Sequence, residues 1–524
     1  MMQDRFGGRA GAAAALALGV LAATGFEPLH WWPVALVAMG LFASLLARTT
    51  TVGRAAWLGW LFGLGHFTFG NNWIATAFTH QAQMPAVLGW AAVPLLAVYL
   101  AVYPAIAALG ARAIAGPGRP RMLPLAFAGC WIVAELLRAG VFTGYSWNPF
   151  AMVLLGPWDR PGLAVLSPWM GTYALSGLAV LLSAVAVESV LGRKALPAAG
   201  VALLVIAGML LPARPAPDGT LPVTVVQPNL PQARLGDPRF FEDNYLQLAS
   251  LSPAARPGAR PGTTRLLLWP ESGLADYLRP GYPQRFYDST TALGDPDFAR
   301  RRIGRTIGTG SLLLTGAVDL EVQGGRAVGA YNSVTALDAA GTIRGSYTKA
   351  HLVPYGEYLP MREVLEPLGL SRLVPGAIDF LSGPGPQTLT LGPHGRAGVQ
   401  ICYEIVFSGE VADRHDRPDF IFNPSNDGWF GAFGPPQHLA QARMRAIEEG
   451  LPVLRATTTG ISAVIDARGV VRHHLATGVA GRIDTVVPGA LPPTIFAQTG
   501  NMLAFAWALL FLGLALVAVK RARP

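Results

Sequence analysis

The chain has 524 residues, of which 52% are hydrophobic and 14% charged, and its mean hydropathy is +0.38. A chain this long and this apolar exceeds one ordinary soluble domain, so the composition indicates an integral membrane protein. The formal net charge of +9 does not indicate nucleic-acid binding, because the arginines lie between apolar runs and form no basic stripe interleaved with aromatic residues.

Eight apolar stretches predict transmembrane helices. Residues 55–111 contain no Asp, Glu, Lys or Arg, which leaves room for two spans of about 20 residues each, with a turn near 81–85. The first stretch resembles a secretory signal, but further spans follow at once, so we expect a retained anchor. The predicted spans are 10–26, 32–47, two within 55–111, then 122–141, 163–187, 195–213 and 501–519.

The Lys and Arg residues of the short loops predict the orientation. They fall on one side of the membrane when eight spans are counted, whereas the alternate loops 27–31 and 79–84 carry neither residue type. Because these residues accumulate on the cytoplasmic side, we expect both termini in the cytoplasm and the long insert before the last span on the outer side. The residues concerned are Arg5, Arg9, Arg48, Arg54, Arg112, Arg119, Arg121, Arg193, Lys194 and the cluster 520–523.

Three parts of the chain follow from these patterns. Residues 1–213 hold the first seven transmembrane helices, residues 214–495 form a water-soluble catalytic domain, and residues 496–524 hold the eighth helix and a cytoplasmic tail. Within the insert, short apolar runs, among them 311–318 and 328–337, alternate with helical patterns such as 435–449, which predicts an α/β or α+β domain.

The fifth span carries two charged residues in an apolar setting. Glu135 and Arg138 stand three residues apart on one helix face, where they can pair. Charges at such positions seldom face lipid. The sequence leaves two interpretations open, a structural ion pair near the membrane edge and the lining of a substrate access path.

Cys402 is one of two cysteines in the chain. The other, Cys130, lies in a membrane run, which makes a disulfide between them implausible. A buried cysteine at a strand end is more often a small core residue than a nucleophile. Glu271 and Lys349 also directly follow apolar strands, however, and strand ends present side chains to clefts. We therefore expect the three side chains to converge.

The three residue types suit covalent catalysis at an acyl carbonyl. A thiol with a pKa of about 8.5 needs a base or a cation to become a thiolate, and Glu271 can take the proton. Lys349 and a backbone N–H near Tyr403 can stabilise the tetrahedral oxyanion. Taken singly, each residue also fits a purely structural role, as a surface lysine, a capping glutamate or a packed cysteine.

The motifs around these residues resemble those of a known family. Trp269-Pro-Glu271, Tyr347-Thr-Lys349 followed by residues 351–357, and Cys402-Tyr-Glu404 look like the glutamate, lysine and cysteine motifs of the nitrilase superfamily. The version is that of the bacterial apolipoprotein N-acyltransferases. The resemblance extends over nearly the whole chain, and its downstream segments are 423–430, 437–438 and 443–448.

The resemblance implies an eight-helix transmembrane bundle plus an α-β-β-α nitrilase-like sandwich at about residues 219–490, on the periplasmic side of a bacterial inner membrane. The implied reaction is ping-pong: a fatty acyl group moves from a membrane glycerophospholipid, through a cysteine thioester, to the α-amino group of the S-diacylglyceryl cysteine of an apolipoprotein. Cys402 corresponds to the nucleophile, Glu271 to the base and Lys349 to the essential lysine. The residues with implied supporting or substrate-binding roles are Glu357, Tyr403, Glu404, Asn332, Trp269 and Trp429.

Some roles stay open within that resemblance. Glu357 is expected either to orient Lys349 or to belong to a structural turn, and Trp269 and Trp429 either to pack or to line an acyl-chain wall. The Pro- and Gly-rich stretches 254–262 and 368–386 suit lids, membrane-dipping loops or plain connectors. No metal or organic cofactor is expected. The expected partners are the phospholipid donor, the apolipoprotein acceptor and the bilayer, without nucleic acid.

Two other functions compete with acyl transfer. A membrane-tethered nitrilase-type amidase would hydrolyse a small C–N bond with the same three residues, but eight spans are more than a tether needs. A transporter or scaffold would have an insert that only binds a partner. Few charges besides Glu135 and Arg138 lie in the predicted spans, and no broken symmetric halves are visible, which argues against a transporter.

Overall fold

The structure is a computed structural model, and it describes residues 8–80, 85–116, 122–253, 263–368 and 378–521. Several sequence predictions lie wholly or mostly outside these ranges. They are the turn at 81–85, the stretch 254–262, the central part of 368–386, and the loop residues Arg5, Arg119 and Arg121.

The N-terminal part is built of apolar helices at each position where a span was predicted. Their bounds are α1 Arg9–Ala23, α2 Trp32–Ala47, α3 Val52–Gly70, α4 Ile74–Ala77, α5 Leu88–Leu100, α6 Val102–Ala115, α7 Leu123–Gly140, α8 Ser167–Leu191 and α9 Ala195–Leu210. A last apolar helix, labelled α17 below, covers Asn501–Arg521.

Four helical segments of the described chain are long and apolar enough to cross a membrane, namely Leu88–Ala115, Leu123–Thr143, Leu163–Leu191 and Asn501–Arg521. The helices α1, α2 and α9 are apolar but have only 10–17 residues. The predicted count of eight spans is therefore not confirmed. An uncharged stretch of sequence overestimates helix length, since part of it forms the turns between helices.

Small residues let the membrane helices approach closely. A Cβ atom added at Gly19 of α1 would lie only 2.0 Å from the carbonyl oxygen of Phe62 in α3, and one added at Gly65 would lie 2.2 Å from that of Leu16. Close backbone approach of this kind gives helices in lipid the dispersion contacts that hold them together. Substituting either glycine would force α1 and α3 apart.

Residues 218–488 form two six-stranded sheets. The first has the order β12-β1-β2-β3-β4-β5 and the second the order β11-β10-β9-β8-β7-β6. The strands are β1 Asp218–Gln227, β2 Arg265–Leu268, β3 Ser311–Gln323, β4 Arg326–Asp338, β5 Ile343–Thr348, β6 Thr388–Thr390, β7 Arg396–Val399, β8 Phe420–Ser425, β9 Val453–Thr457, β10 Ser462–Ile465, β11 Val471–Leu475 and β12 Gly481–Pro488.

The central strands of both sheets are parallel: β1, β2 and β3 in the first sheet, and β7, β8 and β9 in the second. Such strands are covered on both faces and therefore read as continuous apolar runs, as the wholly buried β8 does. Their carboxyl ends lie at one edge of each sheet, which is where polar residues follow them in the sequence.

Helices cover the outer faces of the two sheets. Tyr245 of α11 (Phe241–Ser250) and Ile303 of α13 (Pro296–Ile307) pack with Leu267 and Trp269 on the first sheet. On the second sheet, α15 (Gly434–Glu449) packs Leu439 against the sheet and Met444 against the membrane helices. The remaining helices are α10 Gln232–Leu235, α11 Phe241–Ser250, α12 Gln284–Thr290, α13 Pro296–Ile307, α14 Arg362–Leu365, α15 Gly434–Glu449 and α16 Ile495–Thr499.

Candidate active site

Glu271 and Lys349 come from the first sheet and Cys402 from the second, and the structure brings them together. Glu271 lies three residues after β2 ends at Leu268, Lys349 directly follows β5, and Cys402 lies three residues after β7 ends at Val399. The Lys349 ammonium is 3.7 Å from Glu271 Oε1. The charges of Glu271 and Lys349 both act on the Cys402 thiol. The predicted cluster at the strand ends is thus present.

Glu357 is the direct partner of Lys349. Its Oε1 accepts a hydrogen bond from the Lys349 ammonium at 2.9 Å, and its Oε2 accepts one from the Val353 N–H at 2.8 Å. The side chains of Lys349 and Glu357 are 1% and 8% exposed. Of the two roles left open by the sequence, the geometry favours the one in which Glu357 orients Lys349.

Asn332 joins the two carboxylates. Its Nδ2 donates to Glu271 Oε1 at 2.8 Å and to Glu357 Oε1 at 2.9 Å, which uses both hydrogens of the amide. The second Glu271 oxygen accepts from the Asn426 N–H at 2.8 Å. Because Asn426 follows β8 of the second sheet, this bond ties the Glu271 carboxylate to the sheet that carries Cys402.

The protonation states of the cluster follow from burial and from its neighbouring charges. Burial raises the pKa of Glu271, Lys349 lowers it and Glu357 raises it. Burial alone would lower the pKa of Lys349, but Glu357 and Glu271 outweigh it and the pKa rises. Burial and the Glu271 charge raise the pKa of Cys402 well above its usual range. The resting site therefore holds an ammonium and a neutral thiol, and the thiol needs a base.

Cys402 sits in a strained turn. Its φ angle is +51°, a left-handed conformation that costs a non-glycine residue about 1–2 kcal/mol. The Glu404 carboxylate holds the turn by accepting from the N–H of Ile401, of Ala350 and of His351 at 2.7, 2.7 and 3.2 Å. Glu404 thus fastens the cysteine turn to the segment that follows Lys349.

Glu404 is itself perturbed. Burial raises its pKa to about 7, although Lys349 and the hydrogen bonds from Ile401, Ala350 and the Tyr347 hydroxyl act in the opposite direction. The hydroxyl of Tyr347 donates to Glu404 Oε1 at 2.8 Å. Through its hydrogen bonds the carboxylate thus connects the carboxyl ends of β5 and β7.

Tyr403 links the cysteine turn to the membrane part of the chain. Its ring stacks on Trp147 at 6.5 Å between centroids, and its hydroxyl donates to the Gly144 carbonyl at 3.4 Å. Both partners belong to the segment 144–150, which follows α7. Tyr403, the residue next to Cys402, thus also contacts the segment that follows the membrane helix α7.

Glu135 and Arg138 do not pair with each other in the described chain, so the predicted ion pair is wrong. Arg138 Nη1 donates to the carbonyls of Tyr145 and Trp147 at 2.8 Å, and Glu135 Oε1 accepts from the Phe150 N–H at 2.8 Å. Each of the two charged side chains thus binds backbone groups of the segment that follows α7. A cavity of about 10 Å³ beside them has room for about one water. The contacts favour a structural role over an access path.

The two predicted tryptophans occupy different surroundings. Trp269 is fully buried in the layer between the first sheet and α11, and its Nε1 donates to Ser252 Oγ at 2.8 Å, so its role is packing. Trp429 is half-buried, and its ring meets His80 edge-on at 5.8 Å.

Sequence reasoning missed a hydrogen-bonded cluster of three buried side chains next to Cys402, formed by His438, Asp427 and Arg455. His438 Nε2 lies 3.0 Å from the Cys402 carbonyl oxygen, and Arg455 Nη2 donates to Asp427 Oδ1 and Oδ2 at 2.8 and 2.7 Å. All three side chains are fully buried. Asp427 and His438 lie in segments that carry the family resemblance, whereas Arg455 does not, and the sequence did not indicate the contact to Cys402. Within the described residues, no group of three or more His, Cys, Asp or Glu side chains has a geometry that holds a metal ion.

Two family models match the chain. The apolipoprotein N-acyltransferase N-terminal domain matches residues 18–185, and the carbon-nitrogen hydrolase model matches residues 223–478. The second match spans all three strand-end residues of the candidate site.

Curated relatives match over nearly the full length. A protein of Rhodopseudomonas palustris is 36% identical over 97% of this chain and 95% of its own. One of Bradyrhizobium diazoefficiens is 35% identical over 97% and 94%, and one of Caulobacter vibrioides is 33% identical over 94% and 92%. Each carries the name apolipoprotein N-acyltransferase.

Solved structures match about half of this chain. An amidase of Nesterenkonia sp. AN1 is 19% identical, covers 55% of this chain and 100% of its own, and has a TM-score of 0.34. A carbon-nitrogen hydrolase of Helicobacter pylori G27 is 14% identical, covers 55% and 94%, and has a TM-score of 0.36. TM-scores at this level add no support of their own.

Proposed function

The chain belongs to the apolipoprotein N-acyltransferase family and is an acyltransferase, and on that premise we propose that Cys402, Glu271 and Lys349 carry out the transfer. The observation that supports this assignment is the buried cluster itself. A carboxylate and an ammonium 3.7 Å apart act on one thiol, and they come from strand ends far apart in the sequence.

In the first half-reaction, Glu271 takes the proton of the Cys402 thiol while the sulfur attacks an ester carbonyl carbon of a glycerophospholipid. The Lys349 ammonium and the Tyr403 N–H stabilise the oxyanion. The C–O bond then breaks, Glu271 returns the proton to the departing lysophospholipid oxygen, and the acyl group remains on sulfur as a thioester.

In the second half-reaction, the neutral α-amine of the diacylglyceryl cysteine attacks the thioester carbonyl. A second oxyanion forms at the same donors, the C–S bond breaks, and the acyl group remains on nitrogen as an amide. The amine proton passes through Glu271 to the Cys402 sulfur. The enzyme thus returns to its starting thiol without a net change in protons.

Lys349 acts as a fixed charge in this mechanism and not as a base. Glu357 and Glu271 raise its pKa, so the side chain is an ammonium at neutral pH. Losing one preorganised oxyanion donor typically raises the barrier by about 3–4 kcal/mol. Glu357 and Asn332 orient Lys349 and Glu271, and Glu404 holds the cysteine turn.

We further propose the arrangement in the membrane. The chain has eight spans in residues 1–213 and 496–524, both termini lie in the cytoplasm of a bacterium, and residues 214–495 lie on the periplasmic side of the inner membrane. The Lys and Arg residues of alternate loops support this orientation. The phospholipid donor reaches the site from the bilayer, and the apolipoprotein is the acceptor.

A route for lipid has support from exposed apolar side chains near the site. Phe142, Tyr355, Met361 and Val364 are 81%, 44%, 66% and 60% exposed. The ring of Phe142 meets that of Tyr99 in α5 edge-on at 6.2 Å, and Tyr355 directly precedes Gly356 and the Lys349 partner Glu357. A bilayer would cover apolar groups in this position. Trp429, half-buried on the same domain, is a candidate for the acyl-chain wall.

The test uses purified enzyme, vesicles with an acyl-labelled phospholipid, and a diacylglyceryl lipopeptide. The wild type is expected to form labelled amide with little free fatty acid. Cys402→Ser is expected to form none, whereas Cys130→Ser, which removes the other thiol, retains activity. Amide formation by Cys402→Ser would contradict the assignment of the nucleophile. Rapid release of free acid without amide would favour the amidase alternative.

A further inference from the structure

His438 contacts the backbone of the cysteine turn from α15. It is fully buried, and its Nε2 lies 3.0 Å from the Cys402 carbonyl oxygen. On the other side of the ring, Arg455 Nη2 lies 2.9 Å from Nδ1. Asp427 Oδ1 lies 3.0 Å from the same nitrogen but is neutralised by the two hydrogen bonds from Arg455.

These contacts assign the hydrogen of the ring. A carbonyl oxygen can only accept, so Nε2 carries the hydrogen and donates it to Cys402. Burial and the Arg455 charge lower the pKa of His438 and outweigh the Asp427 charge, which raises it, so the imidazole is neutral and Nδ1 accepts from Arg455. The Asp427–Arg455 ion pair thus fixes both the ring orientation and the tautomer.

The Cys402 carbonyl and the Tyr403 N–H belong to one planar peptide unit, in which they point in opposite directions. A hydrogen bond that holds the carbonyl therefore also sets the direction of the N–H. Among the described residues, none accepts a hydrogen bond from the Tyr403 N–H. The left-handed conformation at Cys402 is strained, so the turn needs such a restraint to keep this peptide in place.

We propose that His438 is a positioning residue for acyl transfer, whose Nε2–H holds the Cys402–Tyr403 peptide so that the Tyr403 N–H faces the oxyanion. The inference rests on the proposed function, in which Cys402 is the nucleophile. A purely structural role is the rival, since the ring also packs against Trp147 and Phe430 at 5.2 and 5.6 Å.

Two substitutions separate the two roles. In His438→Gln the side-chain amide reaches about as far as Nε2 and can still donate to the Cys402 carbonyl. In His438→Asn the shorter amide reaches only about as far as Nδ1, so the donor is lost while a polar side chain remains. Both variants are assayed as full-length enzyme, with thermal unfolding as the check on folding.

Two reactions of Cys402 are compared at one pH: thioester formation from labelled phospholipid and alkylation by iodoacetamide, both located on the Cys402 peptide by mass spectrometry. Alkylation displaces iodide at a saturated carbon and forms no oxyanion. We expect His438→Asn to slow thioester formation by about 10²–10³-fold and to leave alkylation within about threefold of wild type. His438→Gln is expected to recover thioester formation to within about tenfold.

Three outcomes would overturn the inference: thioester formation by His438→Asn at the wild-type rate, equal loss of both reactions, or no recovery in His438→Gln. Any of these, with a wild type that does form the Cys402 thioester, leaves the proposed function intact. A wild type that forms no thioester on Cys402 would instead overturn the proposed function, and the inference with it.

Discussion

Replacing Asn332 with leucine removes the amide that contacts both carboxylates of the site at similar side-chain volume. Two hydrogen bonds to charged acceptors are lost, at 2.8 and 2.9 Å, and such bonds contribute about 1.5–3 kcal/mol each. Glu271 keeps its hydrogen bond from the Asn426 N–H, so we expect its carboxylate to remain in the site but to rotate from its present orientation. If about 3 kcal/mol of the loss appears in the barrier, thioester formation slows by at least about 100-fold.

The assay is single-turnover thioester formation from labelled phospholipid, with thermal unfolding measured on the same preparations. Ser333→Ala is the matched control. Ser333 is the next residue on β4, is fully buried, and its hydroxyl has no hydrogen-bond partner among the described residues, so its loss should change the rate less than about threefold. A rate for Asn332→Leu within fivefold of wild type would refute the role given to this bridge.

Three further substitutions test other parts of the site and its support. Lys349→Met removes the charge that lowers the pKa of Glu271, so the rising acid limb of the pH–rate profile of thioester formation should move to higher pH. The rate of thioester formation should also fall by about 10²–10³-fold, because an oxyanion donor is lost. An acid limb at the wild-type pH would contradict this. Burial raises the pKa of Glu449 from 4.5 to about 7, so the stability that this group contributes below pH 4.5 is lost as the pH rises through about 7. Glu449→Gln should therefore raise the free energy of unfolding at pH 8, by on the order of 3 kcal/mol, but not at pH 4, and the unfolding temperatures measured at the two pH values check this. Glu135→Ala leaves the Phe150 N–H without its acceptor, at a cost of about 1–3 kcal/mol of stability. It should lower both the unfolding temperature and the rate of thioester formation. An unchanged unfolding temperature and an unchanged rate would show that the segment after α7 does not need this contact.

The strand-end residues were predictable because central parallel strands are buried on both faces and end abruptly in polar residues. Glu271, Lys349 and Cys402 all follow that pattern, and the structure brings them together. Asn332 does not, because it lies in the middle of β4. Only the pairing of β4 with β5, in which Ser333 lies opposite Thr348, places it beside Lys349, and the sequence does not encode that register locally.

The helix α15 shows why the contact between His438 and Cys402 was missed. Its start was predicted at Pro435 and lies at Gly434, but polar residues of a helix are ordinarily expected on its solvent face. Here Gln437, His438 and Arg443 are buried, since the helix is enclosed between the second sheet and the membrane helices. The pattern of polar and apolar residues within one helix does not show that the helix is covered on two opposite faces.

The membrane helices and the β3–β4 hairpin mark two further limits. The absence of charge located the apolar stretches, but it does not separate helix from turn, and α1 and α9 each end three residues before the predicted span ends. The hairpin extends to Gln323 and Arg326 around Gly324 and Gly325, whereas strands were predicted only to 318 and from 328. The distal part of the hairpin is partly or fully exposed, so its residues lack the apolar signal of a core strand.

The central claim is that the sulfur of Cys402 carries the fatty acid between donor and acceptor. Purified enzyme incubated with phospholipid vesicles and no acceptor can be digested and analysed by mass spectrometry. The account predicts one fatty acyl mass on the peptide that contains Cys402, released by neutral hydroxylamine and by addition of a diacylglyceryl lipopeptide. An unmodified Cys402 peptide under conditions in which the same preparation N-acylates the lipopeptide would contradict it.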